Sequence, residues 1–176
     1  MDDCVIAGEK KFISKMKANL KEEFGVVEDG KLRKLLGVRY DWKDLNDPKK
    51  ARVILEVSDK AKEIVQAFEN EVGRKIKDRN TPGKPGEILE KNQEQPVNHK
   101  GYRSILGKLM FYVTKVSPEC SFSCGQLARH IHNPGTEHWI AMERVIGYIK
   151  GKERNELIIR RPLGTRVISF GDSSYE

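Results

Sequence analysis

The run Tyr102 to Val116, YRSILGKLMFYVTKV, limits the folds open to this chain more than any other stretch. Its Ile, Leu, Met, Phe and Val side chains fall on several faces of a helix, and such a helix must be covered on most sides. The rest of the chain has to supply that cover. Phe12, Ile13, Met16, Leu20 and Phe24 recur at helical spacing between lysines, with Gly25 to close the helix. Ala61, Ile64, Val65, Phe68 and Val72 mark a second helix that Ser58 can cap and Gly73 can stop. Pro118 suits the first position of a helix running to about Ile131. After the turn Asn133-Pro134-Gly135, Thr136 caps a helix with Trp139, Met142, Val145, Ile146 and Ile149 on one face and Gly151 at its end. Strands are expected at residues 4–7, 26–27, 35–40, 52–57, 157–161 and 166–170. Helices and short strands together give an α+β fold.

Residues 79–100, RNTPGKPGEILEKNQEQPVNHK, break the pattern with three prolines, two glycines and few apolar side chains. They read as a linker or a long exposed connection. The formal net charge is +7, and the basic excess is spread along both halves of the chain. That fits a surface meeting phosphate, and solubility explains it equally well. No stretch is apolar and long enough to span a membrane, and the acidic start is wrong for a secretory signal. The expectation is an intracellular chain with no membrane partner. Three cysteines, an odd number, argue for a reducing compartment and against a disulfide framework.

Three constellations invite chemistry. Cys120 and Cys124 share a helical face with His130, His132 and His138 downstream, but their spacing does not match a zinc finger and their neighbours are apolar. They read as core thiols. The glycines near Lys84 and Lys108 form no phosphate-binding loop, because no Gly-x-x-x-x-Gly-Lys-Ser/Thr run exists. The aromatic residues are too scattered to propose a base-stacking platform. The adjacent acids Asp2 and Asp3, taken alone, read as a solvated turn before a strand.

Taken in order, however, the motifs resemble those of one family. Met1-Asp2-Asp3 is similar to the end of the Tyr-x-Asp-Asp motif of reverse transcriptases, with Met1 in the variable place and the tyrosine missing. Gly30-Lys31-Leu32-Arg33-Lys34-Leu35-Leu36-Gly37-Val38 resembles the Gly-x-Leu-x-x-x-Leu-Gly-Ile stretch of copia-type long-terminal-repeat retrotransposon polymerases. Thr81-Pro82 stands where that family has a Thr-Pro after its first thumb helix. Tyr102 to Met110 resembles its Tyr-Arg-Ser-Ile-Val-Gly-x-Leu-Met signature. Asn133-Pro134, Glu137-His138-Trp139, Arg144 and Tyr148-Ile149-Lys150-Gly151 follow in the family's order. Residues 166–175 resemble, more weakly, the start of its ribonuclease H domain: Ser174 replaces an acid and Tyr175 a tryptophan.

The resemblance implies a chain that starts inside a catalytic hairpin and belongs to a longer polyprotein. Residues 1–57 would be the C-terminal part of a polymerase palm, 58–155 a helical thumb with an exposed loop at about 79–100, and 156–176 the beginning of a ribonuclease H-like domain. The implied activity is RNA-directed DNA synthesis by two-metal nucleotidyl transfer, which needs several carboxylates converging on Mg²⁺. Asp2, Asp3 and Asp172 are the implied catalytic and metal-binding residues. Leu36, Gly37, Lys108, Arg129, Arg144 and Lys150 are the implied nucleic-acid contacts. The implied partners are an RNA/DNA primer–template and the remainder of the polyprotein. With one palm carboxylate and the fingers missing, the chain alone would be inactive. The competing expectation is a non-catalytic basic nucleic-acid-binding protein, or a relic, derived from a transposon.

Overall fold

The structure, a computed structural model, describes residues 4–27, 30–57 and 59–161. Five helices occur among these: α1 (Lys10–Phe24), α2 (Lys60–Val72), α3 (His99–Val116), α4 (Ser121–Arg129) and α5 (Thr136–Gly151). Four strands complete the fold: β1 (Lys34–Leu35), β2 (Val38–Lys43), β3 (Arg52–Glu56) and β4 (Glu156–Arg160). They pair antiparallel in the order β1-β2-β3-β4. The architecture is α+β.

The apolar run does become the wrapped helix. Tyr102, Leu106, Leu109, Tyr112 and Val113 of α3 are all fully buried. Phe68 from α2, Leu127 from α4 and Met142, Ile146 and Ile149 from α5 join them in one core. Burying each such side chain stabilises the fold by about 1.5–3 kcal/mol. Tyr102 and Phe68 both meet the Trp139 ring, at centroid distances of 5.6 and 5.8 Å, and the Tyr102 hydroxyl donates to the Leu127 carbonyl at 2.9 Å. Val38, Tyr40, Leu55 and Leu157 form the sheet face that packs on this core. Cys120 and Cys124 lie within it, and burial pushes the Cys124 thiol up to about 12.

Several elements differ from the sequence expectation. Residues 4–7 and 26–27 form no strand, since an extended segment needs a hydrogen-bonded neighbour and none pairs with them among the described residues. The stretch expected as one strand, 35–40, is split by a turn at Leu36-Gly37. The helix expected from Pro118 begins as a single 3₁₀ turn, Pro118–Cys120, before α4. α5 starts after Gly135 rather than at a Thr136 cap. Glu156–Arg160, expected to open a further sheet, instead pairs with β3 in register Ile158 to Ile54. Ser58 and the strand at 166–170 lie outside the described residues. α1 forms as expected, but it buries no residue, and its Phe12, Met16 and Phe24 stay exposed.

The largest difference concerns residues 79–98. This stretch is exposed as expected, yet it is a strap pinned across α4 and α5. The Arg79 amide donates to the Gly147 carbonyl (3.1 Å), and the Arg144 guanidinium reaches the Thr81 hydroxyl (2.8 Å). The Asn133 side-chain amide donates to the Asn92 carbonyl (2.9 Å). The Val97 amide donates to the Pro134 carbonyl (2.7 Å), and the Trp139 indole donates to the Val97 carbonyl (2.9 Å). A Cβ at position 135 would lie 2.8 Å from Asn92 Cγ, so the approach of strap to turn requires Gly135. Asn98 then ends the strap and caps α3, accepting from the Gly101 amide at 3.1 Å.

One buried carboxylate joins the end of α2 to α5. Glu69 accepts hydrogen bonds from Lys75 (2.6 Å), the Ile76 amide (3.1 Å) and Lys150 (3.2 Å), and is 6% exposed. The Lys75 ammonium and the Ile76 amide hold its carboxyl down at about 2, against 4.5 ordinarily. The unfolded chain therefore takes up this proton first, and the contribution of Glu69 is complete above about pH 4.5 and fades as the pH falls from there towards about 2. Glu69→Gln should lower the unfolding midpoint at neutral pH and flatten the acid limb of stability in that window. Urea titrations of both proteins across the acid range check this, and identical acid limbs would exclude the assignment.

Candidate nucleic-acid interface

The β1–β2 pairing sets Leu35 opposite Val38 and so leaves a two-residue turn, Leu36-Gly37. Both residues have positive φ, 46° and 79°, as a type I′ hairpin requires. Gly37 adopts this at no steric cost, but Leu36 does not: a left-handed non-glycine residue costs roughly 1–2 kcal/mol. Its side chain is 69% exposed, so burial does not compensate. The hairpin is braced from below. The Trp42 indole donates to the Leu32 carbonyl at 2.7 Å, Lys31 lies over the Trp42 ring at 5.3 Å, and the Tyr40 amide donates to the Arg33 carbonyl (2.8 Å). The tip is thus a strained apolar residue on a braced hairpin.

The tip lies against the solvent face of α3, where a Cβ at Gly37 would meet Phe111 Cζ at 3.6 Å. That face runs Lys100, Arg103, Ser104, Gly107, Lys108, Phe111 at spacings of three and four, all exposed. Lys115 continues it, its ammonium 6.0 Å from the Phe111 ring centroid. α3 contains no Asp or Glu, so no carboxylate on the helix neutralises the stripe. Gly107 sits in the middle with open space where its Cβ would be. A mid-helix glycine costs about 1 kcal/mol relative to alanine, and no packing among the described residues explains it. Here it leaves a notch that exposes helix backbone between two cations.

Of the six implied nucleic-acid contacts, Leu36, Gly37 and Lys108 belong to this surface. Arg129 ends α4 beside His130. Arg144 and Lys150 both make contacts within the fold. Arg144 binds Thr81 of the strap, and the Lys150 ammonium donates to Glu69 and to the Ile76 carbonyl (2.7 Å). Lys100, Arg103, Gly107 and Phe111 do not stand out in the sequence. The signal that finds them is a helical stripe of cations on a segment without acids. Asp2, Asp3 and Asp172 lie outside the described residues. Among the described residues no group of three or more His, Cys, Asp or Glu side chains could hold a metal ion, so no Mg²⁺-dependent step is derived from them. No helix among the described residues is long and apolar enough to cross a membrane.

The strain at the tip is measurable. Leu36→Asn keeps the turn with a residue that tolerates left-handed backbone, and should stabilise the fold by about 0.5–1 kcal/mol. A lower urea midpoint for this variant would mean that the Leu36 side chain supports the hairpin after all.

The retrovirus-related Pol polyprotein from transposon TNT 1-94 of Nicotiana tabacum is 25% identical to the chain over 159 residues, covering 86% of the chain and 11% of that protein. The Pol polyprotein from transposon RE2 of Arabidopsis thaliana is 26% identical over 74 residues, 42% of the chain and 5% of that protein. The chain thus spans about a tenth or less of the length of these curated relatives. No protein-family model matches it, and no solved structure does. The chain is homologous to a piece of the retrovirus-related Pol polyproteins of plant transposons.

Proposed function

We propose that the chain is the nucleic-acid-gripping part of a copia-type reverse transcriptase, from the C-terminal palm through the thumb towards ribonuclease H. The observation that carries this reading is the acid-free cationic face of α3 abutting the strained hairpin tip at Leu36-Gly37. Lysine and arginine spaced along one face suit a phosphodiester backbone, which attracts cations without regard to sequence. The notch at Gly107 lets a strand approach the helix, and Leu36 and Phe111 offer apolar contact to sugar or base. The partner is an RNA/DNA primer–template. Synthesis would depend on Mg²⁺, with Asp2 and Asp3 as this chain's share of the ligands and Asp172 assigned to the ribonuclease H site.

Two experiments test it. The purified chain should bind a primer–template duplex without sequence preference, log affinity falling linearly with log salt at about −0.9 per phosphate neutralised. Lys108→Glu and Arg103→Glu should each weaken binding several-fold and make that slope shallower, with unfolding midpoints unchanged because both side chains are exposed. Wild-type affinity in both variants would move the interface elsewhere. The second experiment addresses catalysis. With the upstream segment of a related element joined in frame before Met1, the chimera should copy RNA in Mg²⁺, Asp2→Asn should abolish synthesis, and Asp172→Asn should spare it. Full activity of Asp2→Asn would leave the chain a binding module only.

A further inference from the structure

The strap over α4 and α5 is clasped at its middle by two imidazoles. His130, just after α4, sets Nε2 3.1 Å from the Leu89 carbonyl oxygen. His138, in the first turn of α5, sets Nε2 2.9 Å from the next carbonyl oxygen, that of Glu90. The two rings stack with centroids 4.0 Å apart and planes 20° apart. They are 8% and 2% exposed. The Gly135 amide donates to His138 Nδ1 at 2.7 Å, so the ring proton of neutral His138 sits on Nε2 and is donated to Glu90. The Leu89 carbonyl fixes the same tautomer in His130, since a carbonyl can only accept.

A second proton can enter either ring only at Nδ1. In His138 that atom already accepts from the Gly135 N–H at 2.7 Å, the contact that starts α5. In His130 a second proton would place a cation in a buried site against its stacked neighbour, with Arg129 of α4 and Lys91 of the strap facing it. Burial, then His138 and these two cations, hold the His130 ring below the ordinary 6.5, and only the Leu89 carbonyl pulls the other way. His132 lies in the following turn, and Glu90 and Glu137 are the carboxylates flanking the clasp in the chain.

We propose that the stacked pair His130–His138 is a pH-operated latch: the two rings clasp residues 89–90 and hold the strap down, and proton uptake by His130 releases it from α4 and α5. A base whose affinity for protons is lower in the folded state contributes fully above its unfolded value and weakens the fold as the pH drops below it. The latch is therefore closed above about pH 6.5 and opens in mild acid. Opening widens the groove beside the strap that Leu89, Leu127 and Val145 line.

Amide hydrogen exchange of the intact chain at about pH 7.5 and about pH 5.5 tests this, after correction for intrinsic exchange. Protection of the Val97 amide, which the strap holds against Pro134, should fall in acid by at most about tenfold, because about pH 5.5 lies one pH unit below the ordinary imidazole value, while core amides of α3 keep theirs. His130→Gln keeps a side-chain N–H for Leu89 but cannot titrate, and should lose most of that acid response. Unchanged Val97 protection, parallel loss in α3, or a full response in His130→Gln would overturn the latch. Nitrogen NMR of the wild-type rings gives a readout that needs no variant. Both rings should carry their proton on Nε2 at neutral pH, and His130 should titrate below 6.5 in step with the loss of Val97 protection. Titration of His130 at or above 6.5 would equally overturn the proposal.

Discussion

The packed part of this fold answers to the burial of α3. A helix apolar on several faces forces α2, α4, α5 and one face of the sheet to assemble around it, and Tyr102, Leu106, Leu109, Tyr112 and Val113 are the result. Once cover is complete, one side of α3 is left, and that side carries Lys100, Arg103, Gly107, Lys108 and Phe111. The helix that organises the core thus also presents the cationic surface.

The second organising feature is the strap, and it explains residues whose role the sequence leaves open. A long stretch of backbone outside regular structure needs partners for its amides and carbonyls. Asn133, His130, His138 and Trp139 provide them for carbonyls between Leu89 and Val97. The Asn-Pro and Glu-His-Trp segments, which resemble family motifs, are therefore an anchor for the strap here. Their residue types suit that role, being long or ring-bearing side chains with an N–H at the tip that project from a turn and the start of a helix. An apolar residue at any of these places would leave a carbonyl unpaired, at a cost of about 1–3 kcal/mol where it is buried.

What could be read from the sequence follows the distinction between local and non-local causes. Helical periodicity is local, and α1, α2, α3 and α5 were legible to within a few residues. The hairpin turn was not, because Leu36-Gly37 lacks the Asn-Gly or Asp-Gly pair that advertises a type I′ turn. β4 was legible as a strand, but not its partner, since pairing with β3 depends on how α2 to α5 return the chain to the sheet. The strap read as a linker because nothing in its own composition shows that α4 and α5 hold it. α1 is the converse case: its amphipathic pattern was read correctly, yet Phe12, Met16 and Phe24 face solvent among the described residues.

The cations show why basic character alone is a poor guide to a binding surface. Lys150 and Arg144 match family positions and carry the right charge, yet each meets an acceptor within the fold: the Glu69 carboxylate and Ile76 carbonyl for one, the Thr81 hydroxyl for the other. Recruiting Lys150 to a phosphate would leave the Glu69 carboxylate buried and short of a partner, an exchange that favours the internal pair. Lys108 and Arg103 face no such competition from their own helix, because α3 has no carboxylate to offer. Whether a lysine or arginine is available to phosphate depends on the acids around it as much as on its own position. In this chain α3 carries four lysine and arginine side chains and no acid of its own, next to a hairpin whose backbone is strained.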